Sequence, residues 1–162
     1  MKHTHLKLNL LFSHVIIPIT FGGIVYLLFR SDSLTMFRWA DAIGVKPVLD
    51  DMRVHCTTTQ MDNLNWLFFS LPDGLWVYAF TSFMLIVWGF KFSRHSMFWI
   101  SIGPLLALGG EIGQAFGVVR GTFDPTDLLF CWIGSILPFA ICFQQTNRNS
   151  IQIKRIFHDY KK

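Results

Sequence analysis

The chain has 162 residues, of which 52% are hydrophobic and only 15% charged, and its mean hydropathy is +0.42. A soluble domain of this length needs a charged shell. Here the apolar residues gather instead in four long runs almost free of charge, the mark of an all-α, polytopic membrane protein forming one membrane domain over 1–162. The net charge of +4 is not arranged as a Lys/Arg stripe that could hold phosphates, which sets nucleic acid aside.

A short polar start carrying Lys2 and Lys7 leads into an apolar run at about 10–29, long enough to cross the hydrocarbon core. The run exceeds the apolar segment of a signal peptide and ends at Arg30 without a small-x-small cleavage site, so it reads as a retained first span. His14 sits in its middle, but no histidine in another span could serve as its trans partner on a haem iron.

Polarity rises after Arg30. Between Ser33 and Ile43, the residues Leu34, Phe37, Ala40 and Ile43 share a helical face, and Gly44 and Pro47 follow as stops. This predicts an interfacial helix in the first outer loop, anchored by Trp39. The stretch beyond it, through Asp50, Asp51 and Arg53, has no period and reads as irregular.

The second span is expected at about 71–92. Ser70 would be its cap, Pro72 would lie in the first turn, and Asp73 would reach back to the cap amide. A short basic turn with Lys91 and Arg94 joins it to a third span at about 97–117. The fourth opens with the same logic at Asp124-Pro-Thr-Asp127 and runs over about 125–145, before a basic tail at 146–162.

Together these elements make a four-transmembrane-helix bundle. Lys2, Lys7, Lys91, Arg94, Arg148, Lys154, Arg155, Lys161 and Lys162 fall on the side of the termini. Only Arg30, Arg38, Lys46, Arg53 and Arg120 fall on the other, together with eight aspartates. The positive-inside rule then makes both termini cytoplasmic, with the acidic side outward.

The third span holds the most costly residue, Glu111, with Gln114 on the same face. Gly109, Gly113 and Gly117 form a separate ridge suited to close helix packing, which predicts that this span is the centre of the bundle. Asp73, Arg120, Asp124 and Asp127 belong to the same outer level. The expected site is an outward pocket built by Asp73, Glu111, Gln114, Arg120 and Asp127, with Arg120 gripping an anionic group or pairing with a carboxylate. The bland alternatives are helix capping for the aspartates, a snorkelling role for Arg120, and interhelical glue for Glu111 and Gln114.

Cys56, Cys131 and Cys142 suit neither a disulfide framework nor a metal spacing and read as free thiols. No nucleophile, P-loop or metal motif occurs, so neither metal nor cofactor is expected and an enzyme ranks last.

The run Glu111-Ile-Gly-Gln114, then Arg120, then Phe123-Asp-Pro-Thr-Asp127-Leu-Leu-Phe-Cys131-Trp-Ile-Gly134 resembles the VanZ-like family of small membrane proteins. The family pattern of Glu-x-x-Gln, Arg, Asp and Gly is met in order. The interval from Arg to Asp is one residue longer, and Cys131 stands where the family has Asn. The resemblance implies a bacterial inner-membrane protein and supplies no reaction. The expected function is recognition of a lipid or envelope-precursor headgroup. The alternatives are a structural subunit among other membrane proteins and ion or proton coupling through Glu111.

Overall fold

The computed structural model describes residues 2–30, 35–57 and 65–140. The end of the expected fourth span at 141–145, Cys142 and the basic tail at 146–162 lie outside the described residues, as do Ser33 and Leu34. Among the described residues all regular structure is helical: α1 (Lys2–Leu11), a π turn (Phe12–Ile16), α2 (Ile17–Phe29), α3 (Thr35–Ala42), α4 (Lys46–Thr57), α5 (Asn65–Val87), α6 (Arg94–Ala115) and α7 (Pro125–Ala140).

Three of these helices are long and apolar enough to cross a bilayer: Lys7–Phe29, Trp66–Val87 and Arg94–Ala115. At 1.5 Å per residue each reaches about 33 Å, the thickness of a hydrocarbon core. The first is continuous through the π turn. Pro18 has no N–H to give the His14 carbonyl, and the backbone widens just before it, with the Ile17 N–H reaching the Phe12 carbonyl five residues back.

Glycines close three of the helices: Gly44 as expected, Gly89 short of the expected end at 92, and Gly117 as a cap and not as part of a packing ridge. At Gly44, Gly89 and Gly117, φ is +75°, +59° and +69°. Each sets up the paired backbone bonds of a Schellman cap, such as Val118 N–H to the Gly113 carbonyl at 2.8 Å and Gly117 N–H to the Gln114 carbonyl at 3.0 Å. Ser93 caps α6 in a reciprocal box with Ser96.

Two helix starts differ from expectation. The helix α5 begins at Asn65 and ends at Val87, so it does not occupy 71–92. Ser70 is fully buried inside it, and its hydroxyl meets that of Thr126 at 2.8 Å. The N-terminal signature at Ser70-Leu-Pro-Asp73 is therefore not a cap. Pro72 stands within the helix, and in the turn it opens the Phe69 carbonyl accepts from Arg30 at 3.3 Å.

The second difference lies in 46–57, expected to be irregular and found as α4. Gly44 alone stops α3, and Pro47, expected as a second stop, fits the first turn of a new helix. Lys46 pairs with Asp50 at 2.7 Å, and Arg53 docks the helix onto the end of α2. Of the face expected on α3, Phe37 and Ala40 are buried while Ile43 is exposed, and Trp39 points outward at 68% exposure.

The centre of the bundle is α5 and not α6. Half (50%) of the most apolar window of α5 is buried, against 28% for the first helix and 11% for α6. Small residues let neighbours reach it closely. A Cβ on Gly134 would fall on the Gly74 carbonyl oxygen, one on Gly103 would enter the Phe80 ring, and one on Gly22 would stand 3.0 Å from the Trp76 indole nitrogen. The predicted ridge of Gly109, Gly113 and Gly117 packs no second helix among the described residues. Gly109 has open space around it, Gly113 accommodates Val119 of the following loop, and Gly117 is the αL residue of the cap.

Candidate polar site

The alternation of the helices brings four chain segments to one level: the end of α2, the first third of α5, the end of α6 and the start of α7. Arg30 lies at the end of α2, and its Nη2 meets Asp73 Oδ2 at 3.2 Å. The guanidinium is flanked by the Tyr26 and Phe69 rings at 5.3 and 5.8 Å. Arg53 of α4 holds this corner from behind, donating to the carbonyls of Leu27 at 2.6 Å and Arg30 at 2.8 Å. A basic side chain on the last carbonyls of a helix satisfies acceptors that have no intrahelical donor.

Asp124 caps α7 as the sequence predicts. Its Oδ1 accepts from the Thr126 hydroxyl at 2.6 Å and the Thr126 N–H at 2.8 Å. Those two bonds, the hydroxyl's first, hold its carboxyl below the usual carboxylate range. The same Thr126 hydroxyl meets Ser70, so one residue links the cap of α7 to the middle of α5.

Glu111, Asp73 and Asp127 come close enough to feel one another's charges, and the Glu111 carboxylate also faces the backbone amide of Asp124. Glu111 Oε2 and Asp127 Oδ1 are buried and meet no donor. Buried Cys131 stands among the same three carboxylates. Arg30 Nε is likewise buried and meets no acceptor, so around the Arg30–Asp73 pair the site holds two unmet acceptors and one unmet donor, and it can take up a group that presents mainly hydrogen-bond donors.

Two of the expected members lie elsewhere. Arg120 is exposed on the loop between α6 and α7, and among the described residues the arginine that meets a carboxylate of the site is Arg30. Gln114 packs against that loop: a Cβ on Gly121, whose φ is +144°, would stand 2.8 Å from the Gln114 amide carbon. Asp73, Glu111 and Asp127 are brought together. Sequence reasoning missed Arg30, Arg53, Ser70 and Thr126. Arg30 was legible as the charge ending the first span at the level of Asp73, whereas the role of Arg53 needed α4 to be recognised as a helix.

Among the described residues no three His, Cys, Asp or Glu side chains are grouped so as to hold a metal ion. Compared with known proteins, the chain matches no family model, no curated sequence and no solved structure.

Proposed function

We propose that this is a four-span protein of the VanZ-like type in a bacterial inner membrane, with both termini cytoplasmic, whose polar site receives the headgroup of a lipid or envelope precursor from the outer leaflet. The observation that carries the reading is the pair of buried, donorless oxygens on Glu111 and Asp127 beside the Arg30–Asp73 pair. Two unmet acceptors against one unmet donor, Arg30 Nε, favour a group that presents N–H or O–H donors, such as an ammonium or a hydroxyl. The fourth span of this reading starts with α7. The sixteen residues Pro125–Ala140 reach about 24 Å at 1.5 Å per residue, a few residues short of a full crossing.

Native mass spectrometry of the purified protein with matched-chain phosphatidylethanolamine and phosphatidylcholine tests this, because only the first headgroup has N–H donors. The ethanolamine lipid should bind at least tenfold better. Glu111→Gln and Asp127→Asn should each weaken it by about tenfold, the worth of one charge-assisted hydrogen bond at about 1.5 kcal/mol. Arg120→Ala should leave it unchanged. Equal binding of the two lipids, indifferent to both carboxyl variants, overturns the reading.

A second reading is a subunit of a larger membrane complex, supported by the bareness of α6. Only 11% of its apolar window is buried, and a Cβ on Gly109 or Gly110 would meet nothing within 4 Å. Purification in mild detergent that yields a stoichiometric partner contacting this face would favour it. A partner-free monomer would count against it.

A further inference from the structure

Away from the carboxylates, a second polar group lies inside the bundle where the π turn meets α5. His14 Nδ1 and the Tyr78 hydroxyl are 2.7 Å apart. Ser82, one turn beyond Tyr78 on the same face of α5, lies beside that phenol. It is only 4% exposed, and its Oγ is buried and makes no hydrogen bond within 3.5 Å, the Tyr78 hydroxyl being the polar group beside it. This differs from other hydroxyls among the described residues. Ser13, Thr81, Ser101 and Ser135 each satisfy the hydroxyl by donating to the carbonyl four residues back, at 2.7 to 2.8 Å. Ser82 does not, and points instead into a cavity it shares with His14, Leu85, Ile86 and Pro138.

The room and the chemistry of this cavity agree. Its volume is about 10 Å³, room for a single water and far below what an organic ligand needs. His14 uses one ring nitrogen on Tyr78, so the other needs a partner in either tautomer: an acceptor if it carries the proton, a donor if it does not. A water molecule serves both cases, and so does the Ser82 hydroxyl opposite. In hydrocarbon neither group has bulk solvent to fall back on.

We infer that this cavity is a binding site for one water molecule, which bridges the second ring nitrogen of His14 to Ser82 Oγ. The bridge extends the His14–Tyr78 contact into a continuous polar clasp between the first span and α5. His14 stands within the π turn, whose widened backbone directly precedes Pro18. The inference does not rest on the headgroup reading, since none of its residues belongs to the carboxylate site.

Nitrogen-15 NMR of the full chain in lipid nanodiscs, with labelled histidine and His14 assigned by its loss in His14→Gln, tests the site. The expected result is an exchange cross-peak between water and the His14 ring. It should fall at least fivefold in Ser82→Val, which removes the hydroxyl and fills the space, and also in Ser82→Ala, which only removes the hydroxyl. Thr81→Val, on a neighbour already bonded to Val77, should leave it unchanged. Absence of the cross-peak in the unmodified protein overturns the inference, because the cavity is then dry. Its persistence in either Ser82 variant does so as well, because the water is then held elsewhere.

Discussion

Glycines 134 and 109 stand in opposite situations, and substituting each reads out the packing directly. A methyl on Gly134 meets the backbone of Gly74, which cannot move aside as a side chain can. Gly134→Ala should therefore destabilise the protein by about 1–3 kcal/mol, the usual cost of overpacking a filled contact. Gly109 has nothing within 4 Å, so Gly109→Ala should stabilise α6 by about 0.5–1 kcal/mol through helix propensity. Thermal unfolding of both variants in detergent checks the pair. A loss of stability at Gly109 would reveal a partner helix on that face. The same scale explains why Arg30, and not Arg120, joins the carboxylates: Arg30 ends a helix packed on α5, while Arg120 projects from an exposed loop.

At the scale of elements, the ends of the helices carry the local logic. The cap of α7 is Asp124, whose carboxyl titrates below its ordinary range because Thr126 donates to it twice. A carboxyl with a lowered folded-state pKa contributes stability that is fully present above its unfolded value and is lost as pH falls through the folded one. Asp124→Ala should cost about 1 kcal/mol at neutral pH. The gap from the unmodified protein should close below the ordinary carboxylate range, as seen in unfolding midpoints measured against pH. The helix α4 depends on tertiary contact instead. Arg53→Ala removes both donors from the end of α2 and should cost about 1–3 kcal/mol, with α4 the first element to gain hydrogen exchange.

Across the whole molecule, the charge asymmetry of the sequence makes an orientation prediction. In a cysteine-free background, Val118→Cys on the α6–α7 loop should react with an impermeant maleimide added outside intact cells. Phe92→Cys on the α5–α6 turn should react only after permeabilisation. The reverse pattern would place the polar site at the cytoplasmic face and exclude an outer-leaflet headgroup. Composition and hydropathy determined the helical membrane class. Gly44 and Asp124 marked where one helix stops and another starts, because a cap is made within one turn of chain. The carboxylate trio of Asp73, Glu111 and Asp127 was legible through the level each residue occupies. What only the tertiary structure decided is that α5 is the central helix among the described residues, that Gly134 packs on the backbone of Gly74, that Ser70-Leu-Pro-Asp73 lies inside a helix, and that Arg30 is the partner of Asp73. The reason is physical. In a bilayer the lipid outside is as apolar as a neighbouring helix, so apart from a few polar residues such as Asp73 and Glu111 the sequences of α5 and α6 carry little mark of which face meets protein.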